Sequence, residues 1–163
     1  MKIGIVVGEK SGDNLGAGLF EEIKKLLPDA TIEGIIGPKL SELGGDQWAS
    51  YNELSFMGII EPLKALPRLI RLRKQLTCRW INDPPDIFIG VDAPEFNLTL
   101  EKNLKKAGIK TIHYVSPSIW AWRENRVKKI KKSVDRMLCI LPFEPLIYEK
   151  YQIPAKYIGH PLA

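Results

Sequence analysis

The sequence predicts a doubly wound α/β domain built on a mostly parallel sheet. Three observations carry that expectation. Short apolar runs bounded by turn signals alternate with segments whose apolar residues recur at helical spacing. Several of the runs, Ile87-Phe88-Ile89-Gly90-Val91 above all, have no polar face, as in strands of a parallel sheet covered on both sides. The chain has 163 residues, 45% of them hydrophobic. A chain of about 150 residues buries about 68–70% of its unfolded surface in one core. A single Rossmann-like domain over residues 1–163 is therefore expected, with no repeat, low-complexity tract or linker.

The elements follow in order. Residues 2–7 are apolar and rich in β-branched side chains, so they read as a buried strand. Gly8-Glu9-Lys10-Ser11-Gly12-Asp13 is a turn, and a helix over 13–27 carries Leu15, Leu19, Ile23 and Leu26 before Pro28 stops it. A second strand over 30–36 ends at Gly37-Pro38, and a short helix covers 39–44. Residues 45–59 fit neither period. Residues 60–81 read as a long helix with a kink point at Pro67. Asp83-Pro84-Pro85-Asp86 breaks the chain before the strand at 87–91, a loop at 92–95 and a helix over 96–107 capped by Gly108. Then come a strand at 110–115, a basic helix at 122–133, a strand at 136–141, a short helix at 143–150 and a last strand at 156–159.

The net charge of +5 is unevenly spread. Residues 62–82 hold six basic residues and no acid, and residues 123–132 hold six against one. The remainder carries 12 basic and 18 acidic residues, so it is mildly acidic. Each basic segment suits phosphate, an anionic membrane or a plainly solvated helix face. No nucleic-acid motif accompanies the charge, so no nucleic-acid partner is expected. Composition excludes disorder, collagen and a disulfide-stapled scaffold. The only cysteines, Cys78 and Cys139, are expected as buried, reduced thiols of a cytoplasmic protein, since no signal-peptide pattern opens the chain. No apolar run approaches the roughly 18 residues of a membrane span. No His/Cys/acid cluster has metal-ligand spacing, and neither metal nor cofactor is expected.

In an open α/β sheet, ligands bind beyond the carboxyl ends of the strands. Three loops should converge there. The first, Gly8 to Gly12, opens a helix, so its amides suit an anion or a sugar hydroxyl; the alternative is a tight turn with Asp13 as N-cap. It matches neither a Walker A loop nor a dinucleotide fingerprint. The second is Asp92-Ala93-Pro94-Glu95-Phe96-Asn97. Asp92 directly follows an apolar strand, where a carboxylate either takes a proton from a substrate hydroxyl or bonds loop amides. The third, Ser116 to Arg123, sets Trp120 and Trp122 beside Arg123 and Arg126, a pairing for stacking and phosphate contact unless one Trp is core. His113 reads as a core histidine, and His160 follows the last strand. On the 60–81 helix, apolar residues interleave with cations, as on a helix lying at an anionic membrane or one packed on the sheet.

These segments occur in one order with Gly37-Pro38, Met57-Gly58, the string Thr111-Ile112-His113-Tyr114-Val115-Ser116-Pro117-Ser118-Ile119-Trp120-Ala121-Trp122-Arg123, Pro142-Phe143-Glu144 and Gly159-His160-Pro161-Leu162-Ala163. Together they resemble the N-terminal half of the lipid-A-disaccharide synthases. The resemblance covers essentially the whole chain and implies the N-terminal lobe of a GT-B glycosyltransferase. Such enzymes are inverting and metal-independent. They join UDP-2,3-diacylglucosamine to 2,3-diacylglucosamine 1-phosphate (lipid X), giving a β-linked disaccharide and UDP. They act as peripheral proteins on the cytoplasmic face of the Gram-negative inner membrane. The resemblance implies that Asp92 is the general base and that Glu9, Ser11, Gly12, Asn97, Ser116, Trp122 and Arg123 contact substrate. It implies that Ile60, Leu63, Leu66, Leu69 and Ile70 face membrane and acyl chains. It implies a C-terminal UDP-binding lobe beyond these residues, in cis or as a separate chain, without which this chain would be inactive. A stand-alone nucleotide- or anion-binding module is the alternative. Lys10 in place of a small residue, Glu95 in place of Asp, and Pro62 and Pro67 in the membrane-facing helix depart from the family pattern.

Overall fold

A computed structural model describes residues 1–55, 62–118 and 124–159. Its elements run β1 (Lys2–Val7), α1 (Lys10–Leu26), β2 (Thr31–Ile36), α2 (Pro38–Glu42), β3 (Asp46–Ser50), α3 (Asn52–Ser55), α4 (Pro62–Asn82), β4 (Ile87–Val91), α5 (Pro94–Lys106), β5 (Lys110–Tyr114), α6 (Glu124–Ser133), β6 (Arg136–Cys139), α7 (Glu144–Glu149) and β7 (Ala155–Tyr157). The seven strands form one sheet in the order β3-β2-β1-β4-β5-β6-β7, and every pairing is parallel. This is the doubly wound, Rossmann-like arrangement. The chain reverses its direction of travel between β1 and β4, which opens a crevice at their carboxyl ends.

The alternation of strand side chains divides the core into two faces. Ile3, Ile5 and Val7 of β1 pack with Ile89 and Val91 of β4 and with Ala17 and Phe20 of α1. On the other face Val6, Ile35 and Phe88 meet Leu69, Leu76 and Trp80 of α4 and Phe96, Leu100 and Leu104 of α5. A third cluster, from Val127 and Ile130 to Met137 and Tyr148, seats α6 and α7 on the far end of the sheet.

The edge strand β3 falls in the stretch that matched neither period. Asp46-Gln47-Trp48-Ala49-Ser50 has no fully buried residue, so no apolar run or clean alternation marks it. Its pairing with β2 is also interrupted by a register shift at Gly34/Ile35. The first helix begins at Lys10, three residues before the expected start, so Asp13 is not its N-cap. Asp13 instead reaches across to α2. Its carboxylate accepts from the amides of Gly37 (2.9 Å), Lys39 (2.9 Å) and Leu40 (3.4 Å), satisfying donors that the start of α2 leaves open. Strands β6 and β7 are shorter than expected at their carboxyl ends, and Gly108 ends α5 as expected.

The thiols divide. Cys139 is buried in β6, but Cys78 lies exposed on α4, correcting the expectation that both are enclosed. Leu76 and Trp80 face the sheet, and Cys78 stands between them on the opposite side of the helix.

Candidate functional site at the carboxyl end of the sheet

The crevice is lined by the segments that leave the carboxyl ends of β1, β4 and β5. Glycine at position 8 is required by the close approach of the first two loops: a Cβ there would stand 2.5 Å from the Cβ of Ala93. The loop that opens α1 and the loop after β4 are thus in direct contact. Glu9 and Ser11 are exposed, and the Ser11 hydroxyl donates to the Glu9 carboxylate. Gly12 is buried in the first turn of α1, against Val7 and Val91.

Asp92 is half-buried immediately after β4. Its backbone has φ 54°, and Ala93 follows at φ 43°. Two successive non-glycine residues in the left-handed region are costly, about 1–3 kcal/mol each, and persist only where the surroundings enforce them. The Asp92 amide donates to the Tyr114 carbonyl at 2.8 Å, and its own carbonyl accepts from the Asn97 side chain at 2.8 Å. The Asp92 carboxylate has no hydrogen-bond or ion-pair partner among the described residues. Val115, at the end of the neighbouring strand, also has a positive φ, 76°. For a β-branched residue that conformation is a genuine outlier. No sequence signal marked it or Ala93.

Ser116 follows Val115, half-buried. Its hydroxyl donates to the Pro117 carbonyl at 3.1 Å and lies 2.8 Å from the Tyr148 hydroxyl. Burial pushes the Tyr148 phenol well above its usual range, outweighing the Ser116 bond that lowers it, so it stays protonated as a donor. Glu95, exposed in the first turn of α5, pairs with Arg126 of α6. That bridge ties the second loop to the basic helix.

The expected site residues therefore separate. Asp92, Glu9, Ser11, Gly12 and Ser116 meet at one sheet edge. Asn97 does not line the crevice: it is 0% exposed, enclosed beneath the second loop. Trp122, Arg123 and Ile60 lie outside the described residues, as do Trp120 and His160, and Leu63 is described in its backbone alone. On α4, Leu66 and Ile70 are 49% and 48% exposed, whereas Leu69 points into the core at 8%. Leu69 is thus corrected from a lipid-facing position to a sheet-facing one. Seven and eleven residues before Leu76 and Trp80, it shares their side of the helix, about 100° round from Ile70, and packs in the same cluster as Leu76 and Phe96. Among the described residues no group of three or more His, Cys, Asp or Glu side chains is placed to hold a metal ion.

A family model described as lipid-A-disaccharide synthetase matches residues 3–163. The chain belongs to the lipid-A-disaccharide synthetase family. It is similar to the lipid-A-disaccharide synthase of Idiomarina loihiensis, 56% identical over 162 residues, covering 99% of this chain and 43% of that protein. Against the lipid-A-disaccharide synthase of Pseudoalteromonas translucida it is 53% identical over 163 residues, covering 100% of this chain and 42% of the relative. The Saccharophagus degradans synthase is 53% identical over 162 residues, again with 42% of its length covered. The chain thus spans less than half the length of these synthases. No helix among the described residues is long and apolar enough to cross a membrane.

Proposed function

We propose that residues 1–163 form the acceptor-binding lobe of a two-lobed, inverting glycosyltransferase that makes the lipid A disaccharide. The acceptor is 2,3-diacylglucosamine 1-phosphate, and the donor is UDP-2,3-diacylglucosamine. Asp92 is the general base. As the acceptor's primary hydroxyl oxygen bonds to the anomeric carbon, its proton passes to the Asp92 carboxylate. The bond from that carbon to the UDP oxygen breaks, and its electron pair leaves with UDP. Attack opposite the leaving group gives the β linkage.

The observation that carries this reading is the setting of Asp92. It stands at the switch point of the sheet, half-exposed, its carboxylate without a partner among the described residues, on backbone held at φ 54°. A positioned base of this kind contributes about 10²–10⁴ in rate. Glu9, Ser11 and the amides opening α1 hold the acceptor's polar groups. Ser116, Trp122 and Arg123 complete the site, and Arg126 neighbours it through Glu95. The nucleotide-sugar site belongs to the part of the relatives that this chain does not span, and residues 1–163 alone do not turn over. The protein acts at the cytoplasmic face of the inner membrane, bound peripherally through α4.

The test is turnover of the complete enzyme with Asp92→Ala and Asp92→Asn. Both should lower kcat by about 10²–10⁴ with little change in acceptor KM. A rate within twofold of the parent removes Asp92 from the mechanism.

A further inference from the structure

Asn97 sits in the first turn of α5, fully enclosed. Its side-chain nitrogen donates to the Asp92 carbonyl at 2.8 Å and lies 3.3 Å from the Val6 carbonyl and 3.5 Å from that of Val91. Those carbonyls belong to the ends of β1 and β4, the strands on either side of the crevice. One amide group therefore joins both strand ends to the loop that carries Asp92. What it joins is strained, since Asp92 and Ala93 take φ values of 54° and 43°.

The support under Asn97 is as specific. One helical turn on, Glu101 meets His113 Nδ1 of β5 at 2.7 Å, and both side chains are 0% exposed. Gly90 of β4, in register with His113, makes the room. A Cβ at Gly90 would stand 2.2 Å from Glu101 Oε1 and 3.0 Å from the Asn97 Cβ. Among the described residues, Asn97 Oδ1, Glu101 Oε2 and His113 Nε2 are buried without a hydrogen-bond partner. Stability alone gives no reason to keep such a cluster, because matched apolar side chains usually serve a core at least as well. Its place directly beneath the left-handed Asp92-Ala93 pair gives one.

We propose that Asn97 is a positioning residue that sets Asp92 through the backbone carbonyl, braced from below by the Glu101–His113 pair in the space left by Gly90. It touches no substrate. Its effect on turnover rests on the reading of Asp92 as base, whereas its effect on loop geometry does not.

Two measurements on Asn97→Ala separate these. In the 163-residue chain, amide hydrogen exchange at Asp92, which donates to Tyr114, should speed up about tenfold more than at Ile5 and Ile89 in the strands. Thr111→Val, which removes the buried bond to Ser133 at the opposite end of β5, should produce no such local change. In the complete enzyme, Asn97→Ala should lower kcat about 10–100-fold with acceptor KM held, and should add little to Asp92→Ala, because both act through one carboxylate. Unchanged exchange at Asp92, exchange raised equally throughout the sheet, or losses that multiply across the two sites would overturn the proposal. Asn97→Ser, too short to span to the Asp92 carbonyl, gives the same readouts if the alanine variant does not fold. If Asp92→Ala keeps full activity, the base assignment fails, and the exchange result alone decides whether Asn97 positions the loop.

Discussion

At the scale of single residues, the carboxyl end of the sheet is marked by backbone. Asp92, Ala93 and Val115 are three of the four non-glycine residues with positive φ among the described residues, and they cap two adjacent strands. The sequence placed Asp92 correctly after an apolar strand. It did not show the strain, because nothing in Asp-Ala-Pro or Tyr-Val-Ser requires a left-handed residue. Asn97 was legible as part of the same loop motif, yet its burial was not. The signal lay in spacing: Asn97 and Glu101 stand four apart on one helix face, opposite a strand glycine and a strand histidine. The cysteines give a check at this scale. Burial, with Glu144 nearby, pushes the Cys139 thiol up to about 12, so it is neither accessible nor ionised at neutral pH. Cys78 is exposed. A maleimide should label one thiol per native chain and two after denaturation, with the native label at Cys78. Rapid native labelling at Cys139 would contradict the packing of β6.

At the scale of elements, long apolar strands and capped helices were readable, and the polar edge was not. Strand β3 is held by tertiary contacts that its composition does not announce: Trp48 lies 5.0 Å from Trp80, and the Arg79 guanidinium sits 3.4 Å from the Trp48 ring centre. Helix α4 divides the residues that the resemblance assigned to lipid between two faces. Leu69, Leu76 and Trp80 commit one side to the sheet, while Leu66 and Ile70 stand exposed among Arg71 and Lys74. Arg68 beside them is already paired with Glu53 at 3.1 Å. That outward strip is the surface we assign to the membrane. Each cation adds about 1 kcal/mol near an anionic surface, and the two apolar side chains add burial. Leu66→Glu with Ile70→Glu should weaken sedimentation with vesicles containing anionic lipid about tenfold or more while leaving the unfolding temperature nearly unchanged. Equal binding by parent and variant would remove α4 from the membrane contact.

At the scale of the whole molecule, the fold was the most legible feature. Continuous apolar strands separated by helical segments require a covered parallel sheet, and the strand order then fixes where a ligand can sit. The basic character also resolves into place, with one cationic strip on α4 and another on α6, whose Lys128, Lys131 and Lys132 are exposed. The central claim is that this lobe holds the acceptor at the carboxyl edge of β1, β4 and β5. Amide spectra of the isotopically labelled 163-residue chain, titrated with 2,3-diacylglucosamine 1-phosphate in neutral micelles, test it most directly. The account predicts saturable shifts centred on residues 8–12, 92–95 and 115–123, with Lys2, Thr31, Ile87 and Lys110 at the opposite edge unmoved. Shifts centred on that opposite edge or on α7 and β7, or none up to millimolar acceptor, would contradict it.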